Sequence, residues 1–152
     1  MSLTGKNNYF EDFEPGVVIR HARGKTMCES DNVGITLQVM NTAEAHFNED
    51  SVKDSFGRRL QFGGVTIAMI IGLSMQDTGE NALKEKGLDK IRLKASVFHG
   101  DTLYAFTEVL DKKDIDDQSG EVHFRHWGIN QKDEVVFEGE RRTLIKKRGK
   151  AE

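Results

Sequence analysis

The stretch Val65-Thr66-Ile67-Ala68-Met69-Ile70-Ile71-Gly72-Leu73 carries no charge, and Thr66 holds its only polar side chain. Any fold this chain adopts must place that run inside. The run is apolar on every side and continues through Asn81-Ala82-Leu83-Lys84. It therefore predicts a helix buried all round, because a buried strand of the same composition would be shorter.

After the run the period changes. Ile91, Leu93, Ala95 and Val97 alternate with Arg92, Lys94 and Ser96, the pattern of a half-buried strand. Gly100-Asp101 turns the chain, and residues 103–110, 122–129 and 135–145 read as three more strands. An Asp-rich hairpin loop over 111–120 and a tight connection at Asn130-Gln131-Lys132-Asp133 join them. Ahead of the apolar run, Glu14-Pro15-Gly16 is a turn signal before a first strand at Val17-Val18-Ile19. Ser30 followed by Asp31 predicts a helix start, a capping hydroxyl with an acid in the first turn. Val33, Leu37 and Met40 would give that helix one apolar face. Residues 41–46 end the helix or follow it, Asn48-Glu49-Asp50 starts a short second turn, and residues 56–59 form a loop.

The order is strand, helix, loop, central helix, then four antiparallel strands. That is an α+β chain in which a hairpin-connected sheet curves around one very apolar helix. A length of 152 residues fits a single domain. Residues 1–6 are expected to be flexible and 147–152 to form a tail. A net charge of −3 gives no electrostatic reason to expect nucleic acid. The late basic cluster of Arg141, Arg142, Lys146, Lys147 and Arg148 lies beside Glu138 and Glu140, and reads as the end of a solvated strand. Cys28, the one cysteine, excludes an internal disulfide and reads as a small buried or half-buried residue. With no leader-like opening and no apolar run of the ~20 residues a bilayer span needs, a cytoplasmic location is expected, with no membrane partner. Five histidines without a nearby Cys or carboxylate cluster give no metal signature. His21, His99, His123 and His126 are taken as structural. His123 and Arg125 share a strand face, and with Arg92 and Lys94 on a neighbouring strand they are candidates for contacting phosphates.

Two segments resemble the MaoC-like dehydratase family. Asn41-Thr42-Ala43-Glu44-Ala45-His46-Phe47-Asn48-Glu49 is similar to that family's Asp-x-Asn-Pro-x-His-φ-Asp-Glu. Arg59-Leu60-Gln61-Phe62-Gly63-Gly64-Val65 is similar to its Arg-Ile-Ala-His-Gly-Met-Leu, which opens the central helix. Tyr9-Phe10-Glu11-Asp12-Phe13-Glu14-Pro15-Gly16 and Gly100-Asp101-Thr102-Leu103 resemble further family segments, so the likeness runs along nearly the whole chain. Val18-Ile19-Arg20-His21-Ala22, Asp77 with Asn81-Ala82-Leu83, and Asn130-Gln131 resemble the mesaconyl-CoA hydratase and R-specific enoyl-CoA hydratase branches.

The resemblance implies a hot-dog fold and the addition or removal of water across the double bond of a 2-enoyl-CoA. It implies no cofactor beyond the coenzyme A of the substrate, and a homodimer or a higher assembly of dimers. It places His46, Asn41 and Gly63 in catalysis, with Glu44 as an alternative acid or base and Gly63 as the oxyanion-hole residue. Phe62, Gly64, Arg92 and Lys94 are the expected substrate contacts. The family's aspartate falls on Asn41, its asparagine and proline on Ala43 and Glu44, and its helix serine on Ala68. An amide orients water but cannot take its proton, so two further readings stand beside hydration. One is a hot-dog acyl-CoA thioesterase, and the other is an acyl-CoA binder without turnover.

Overall fold

The computed structural model describes residues 8–149 in full and the backbone of residues 2–3. The expected flexibility of residues 1–6 falls largely outside the described residues. Ser2–Leu3 (β1) runs parallel to the first long strand. The chain then forms β2 (Val18–Thr26), α1 (Glu29–Gln38), α2 (Gly63–Thr78), β3 (Ala82–Leu93), β4 (Thr102–Asp114), β5 (Ser119–Ile129) and β6 (Val135–Lys146). The sheet order is β1-β2-β4-β5-β6-β3, antiparallel throughout apart from the β1–β2 pair.

The alternation of β4, β5 and β6 points one face of each strand at α2. Leu103, Ala105, Val136 and Phe137 pack there with Val65 and Ile70 of the helix. Burying Ile70 completely contributes about 1.5–3 kcal/mol. Its Cδ1 would lie 2.2 Å from a Cβ at Gly128, so the helix can approach β5 this closely only over a glycine. A second cluster, Phe10, Phe13, Val109, Val122, Phe124 and Ile145, fills the far end of the sheet.

Several expectations are corrected. α2 ends at Thr78, where the Gly79 N–H bonds to the Met75 carbonyl, and Ala82 already begins β3. The helix is not buried all round, for Ala68 and Gly72 are exposed. β3 begins well before Ile91 and stops at Leu93. It is an edge strand, and Ile91 and Leu93, expected on the covered face of a half-buried strand, are 37% and 54% exposed. α1 is capped by Cys28, not Ser30: the Cys28 N–H donates to the Asp31 carboxylate at 2.9 Å. Its buried residues are polar, Asn32 and Thr36, while Leu37 and Met40 are exposed. Arg141 is no solvated strand end. It points inward at 2% exposure, held by Glu85 and by the Thr78 hydroxyl at 3.2 Å. The expected tail is tied down at its start, with Lys147 on Asp114 at 2.7 Å and Arg148 on Asp12.

Candidate active site

His46 ends a single 3-10 turn, Glu44–His46, and is 9% exposed. Its Nδ1 lies 2.8 Å from the Leu60 carbonyl oxygen. A carbonyl can only accept, so Nδ1 carries the proton and Nε2 is left as a basic nitrogen. The Leu60 N–H returns a bond to the Ala45 carbonyl at 2.9 Å, which fastens the histidine turn to the segment that leads into α2.

Gly63 and Gly64 open α2, and neither N–H has a partner among the described residues. Free N–H groups at the positive end of a 16-residue helix favour an oxygen that gains negative charge. The Phe62 N–H just ahead is taken by the Asn32 side-chain oxygen at 2.9 Å. Asn32 also donates to the His46 carbonyl at 3.3 Å, so one buried amide ties together the two halves of the site.

His46 and Gly63 line one cleft of about 220 Å³, together with Leu60, Gln61, Thr66 and residues 93–97 at the end of β3. Of the sequence-predicted site residues, His46, Gly63 and Lys94 therefore meet. Phe62 stands beside them, its ring centroid 5.5 Å from that of His46, and it packs over Gly64. Asn41 is not on the cleft wall. Its side-chain oxygen accepts from the Ala43 N–H at 3.0 Å, a local turn. Glu44 is exposed and also off the wall. Arg92 faces outward in a separate hollow with Lys90, Arg125, Glu138 and Glu140.

The proposed phosphate face is also rearranged. β6 separates β3 from β5, and its Glu138 and Glu140 pair with Lys94, Arg125, Lys90 and His123. Lys90, Lys94 and Arg125 therefore already have anionic partners. Sequence reasoning passed over Asn32, Gln61 and Thr66. An asparagine inside a helix is a poor helix former and was the available signal for Asn32.

A second polar cluster lies under the C-terminal half of α2. His21 Nδ1 is 2.7 Å from the Asp77 carboxylate, and its Nε2 is 2.7 Å from the Thr107 hydroxyl. That hydroxyl is 2.8 Å from His126 Nδ1. Burial holds His126 well below the ordinary histidine value, and the nearby positive charges of Arg141 and His21 add to the effect. Burial also lowers His21, partly offset by Asp77. All four side chains, His21, Asp77, Thr107 and His126, lie outside the wall of the His46 cleft.

Comparison with known proteins adds the family. The profile described as mesaconyl-CoA hydratase matches residues 3–147. A mesaconyl-CoA hydratase of Haloarcula marismortui is 34% identical over 95% of this chain, which spans 44% of that protein's length. A putative MaoC domain dehydratase of Chloroflexus aurantiacus superposes with a TM-score of 0.87 at 29% identity, covering 95% of this chain and 46% of that one. A Mycobacterium tuberculosis protein with a double hotdog fold superposes at 0.88 and 22% identity, again over 95% of this chain and 46% of the other. The fold is the α+β hot-dog, with the sheet open and curved around α2.

Proposed function

Since the chain belongs to the mesaconyl-CoA hydratase family, we propose that it adds water to, or removes it from, the double bond of a short or branched 2-enoyl-CoA, mesaconyl-CoA included. The observation that carries this reading is the shared cleft. It sets a histidine with a free basic Nε2 on the same wall as Gly63, whose unpaired N–H opens α2.

The chemistry follows from those two parts. The thioester oxygen lies against the N–H of Gly63, which lowers the energy of the enolate that forms when water attacks. His46 Nε2 takes a proton from the water as its oxygen bonds to C3. The π electrons move onto C2 and the thioester oxygen. The imidazolium then returns its proton to C2, giving a 3-hydroxyacyl thioester. Dehydration is the reverse. Only the thioester's own coenzyme A is drawn on, and no further cofactor is called for.

The partner in this proposal is a second hot-dog unit, a copy of this chain. The Haloarcula relative is more than twice as long as this chain, room for a second such unit. Edge strand β3 exposes Leu83, Leu88, Ile91 and Leu93, and it ends at the cleft. Exposed apolar edges of this length invite pairing. We place the protein in the cytoplasm. No helix among the described residues is long and apolar enough to cross a membrane.

The test is incubation with mesaconyl-CoA and crotonyl-CoA in parallel, following loss of the conjugated enoyl absorbance and release of free thiol. Absorbance loss without thiol supports hydration. Thiol release identifies a thioesterase, and neither signal together with measurable acyl-CoA binding identifies a binder without turnover.

A further inference from the structure

A water attacked by one base has a second proton, and that proton needs an acceptor if the oxygen's lone pair is to face C3. Asn41, which aligns with the family's aspartate, does not supply one, because its oxygen is spent on the Ala43 N–H. No carboxylate lines the His46 cleft among the described residues. Its polar side chains are His46, Gln61, Thr66, Lys94 and Ser96. The Lys94 ammonium is 3.0 Å from Glu138, and Ser96 is exposed. Gln61 and Thr66 remain, 4% and 2% exposed.

These two are built as a unit. The Gln61 Nε2 donates to the Thr66 hydroxyl oxygen at 2.8 Å. The Gln61 backbone N–H is fixed on the Val97 carbonyl at 2.9 Å, so the residue is pinned at both ends. Among the described residues the amide's Oε1 accepts no hydrogen bond, and the Thr66 hydroxyl, already accepting, has no acceptor for its own proton. Oε1 is not one of the enclosed atoms that lack a partner, so it is open to a polar occupant of the cleft that Gln61 lines.

Resting on the hydratase reading above, we propose that Gln61 and Thr66 hold the reacting water for His46, in place of a carboxylate. The water gives one proton to His46 Nε2 and keeps the other, which it only hydrogen-bonds to Gln61 Oε1, so that proton ends on the 3-hydroxyl. Thr66 fixes the amide plane and offers its own O–H to the oxygen that ends on C3. His46 is then the one group in the cleft that moves a proton.

The experiment measures hydration of crotonyl-CoA and mesaconyl-CoA by wild type, Gln61→Met, Gln61→Glu, Thr66→Val and Thr66→Ser, with a thermal melt of each. We expect Gln61→Met to lose about 10–100-fold in kcat with KM changed no more than about threefold. Thr66→Val should lose about tenfold and Thr66→Ser should restore it. Gln61→Glu sets a negative charge beside the imidazole and favours its protonated form. The rise of kcat/KM with pH should therefore move to higher pH. A side chain that packs away from the imidazole would leave the profile in place. Folded Gln61→Met and Thr66→Val proteins with kcat within about twofold of wild type overturn the inference, as does a Gln61→Glu profile that stays in place. If Gln61→Met does not fold, the Thr66 pair and the Gln61→Glu profile decide. Wild type that hydrates neither thioester overturns the hydratase reading, and this inference with it.

Discussion

Replacing Gly63 with alanine separates the site's chemistry from its stability. A Cβ at Gly63 would stand 2.4 Å from Leu93 Cδ1, too close to coexist with the present rotamer. Leu93 is 54% exposed at the end of an edge strand, so its side chain has room to turn away. An off-rotamer side chain costs about 0.5–1.5 kcal/mol. Alanine in place of glycine returns about 0.5–1 kcal/mol in a helix interior and less in its first turn. The two nearly cancel, so the melting temperature should move by only about 2–4 °C. Activity should respond far more. The added methyl occupies the approach to the helix N-terminus. The thioester oxygen can no longer sit within the ~3 Å that an oxyanion bond requires. Loss of one such donor costs about 10²–10³ in kcat, or about 2.7–4 kcal/mol. The assay is the initial rate of enoyl absorbance loss at saturating substrate, alongside a melt. A Gly63→Ala protein with kcat within about twofold of wild type would refute the oxyanion assignment. A protein that loses activity only because it unfolds would refute the argument from Leu93.

Asn32→Ala removes the amide that joins the His46 turn to the start of α2. It should cost about 1–3 kcal/mol of stability, seen in urea unfolding, and lower kcat as well. Acid should weaken the fold through His126. Its folded pKa is held well below the unfolded 6.5, so its contribution is complete above about pH 6.5 and is lost as pH falls below that value. His21, also lowered, acts in the same direction. His126→Gln, which cannot titrate, should flatten the fall of melting temperature between pH 7 and 5, and an unchanged slope would count against the assignment. Ile91→Lys with Leu88→Lys charges two exposed positions of β3 and should shift the protein to monomer in size-exclusion chromatography.

The parts of the fold legible in the sequence are those where periodicity and burial agree. β4, β5 and β6 alternate because one face of each meets α2, and the uncharged run could only be the helix they cover. The start of β3 was not legible. Lys84, Glu85, Lys86 and Asp89 are exposed on an edge strand, and a strand with little to bury leaves little alternation to read. α1 misled for the opposite reason, since its buried side carries Asn32 and Thr36, which serve hydrogen bonds and not an apolar core. In the site, His46 and Gly63 were found through the family resemblance, and the structure sets them on one cleft. Asn41 was placed there by alignment alone, and no spacing rule could show that its oxygen turns back onto Ala43. Gln61 and Thr66 are five residues apart across a loop-to-helix junction, a separation that no helical or strand period links.

The central claim is that His46 moves the proton in this cleft. Its most direct test compares wild type with His46→Ala for turnover of crotonyl-CoA and for binding of saturated butyryl-CoA, which cannot be hydrated. The account predicts a kcat lower by about 10²–10⁴ with butyryl-CoA still bound, because the base is gone while the helix N-terminus that holds the thioester stays. Hydration at the wild-type rate by His46→Ala would contradict it.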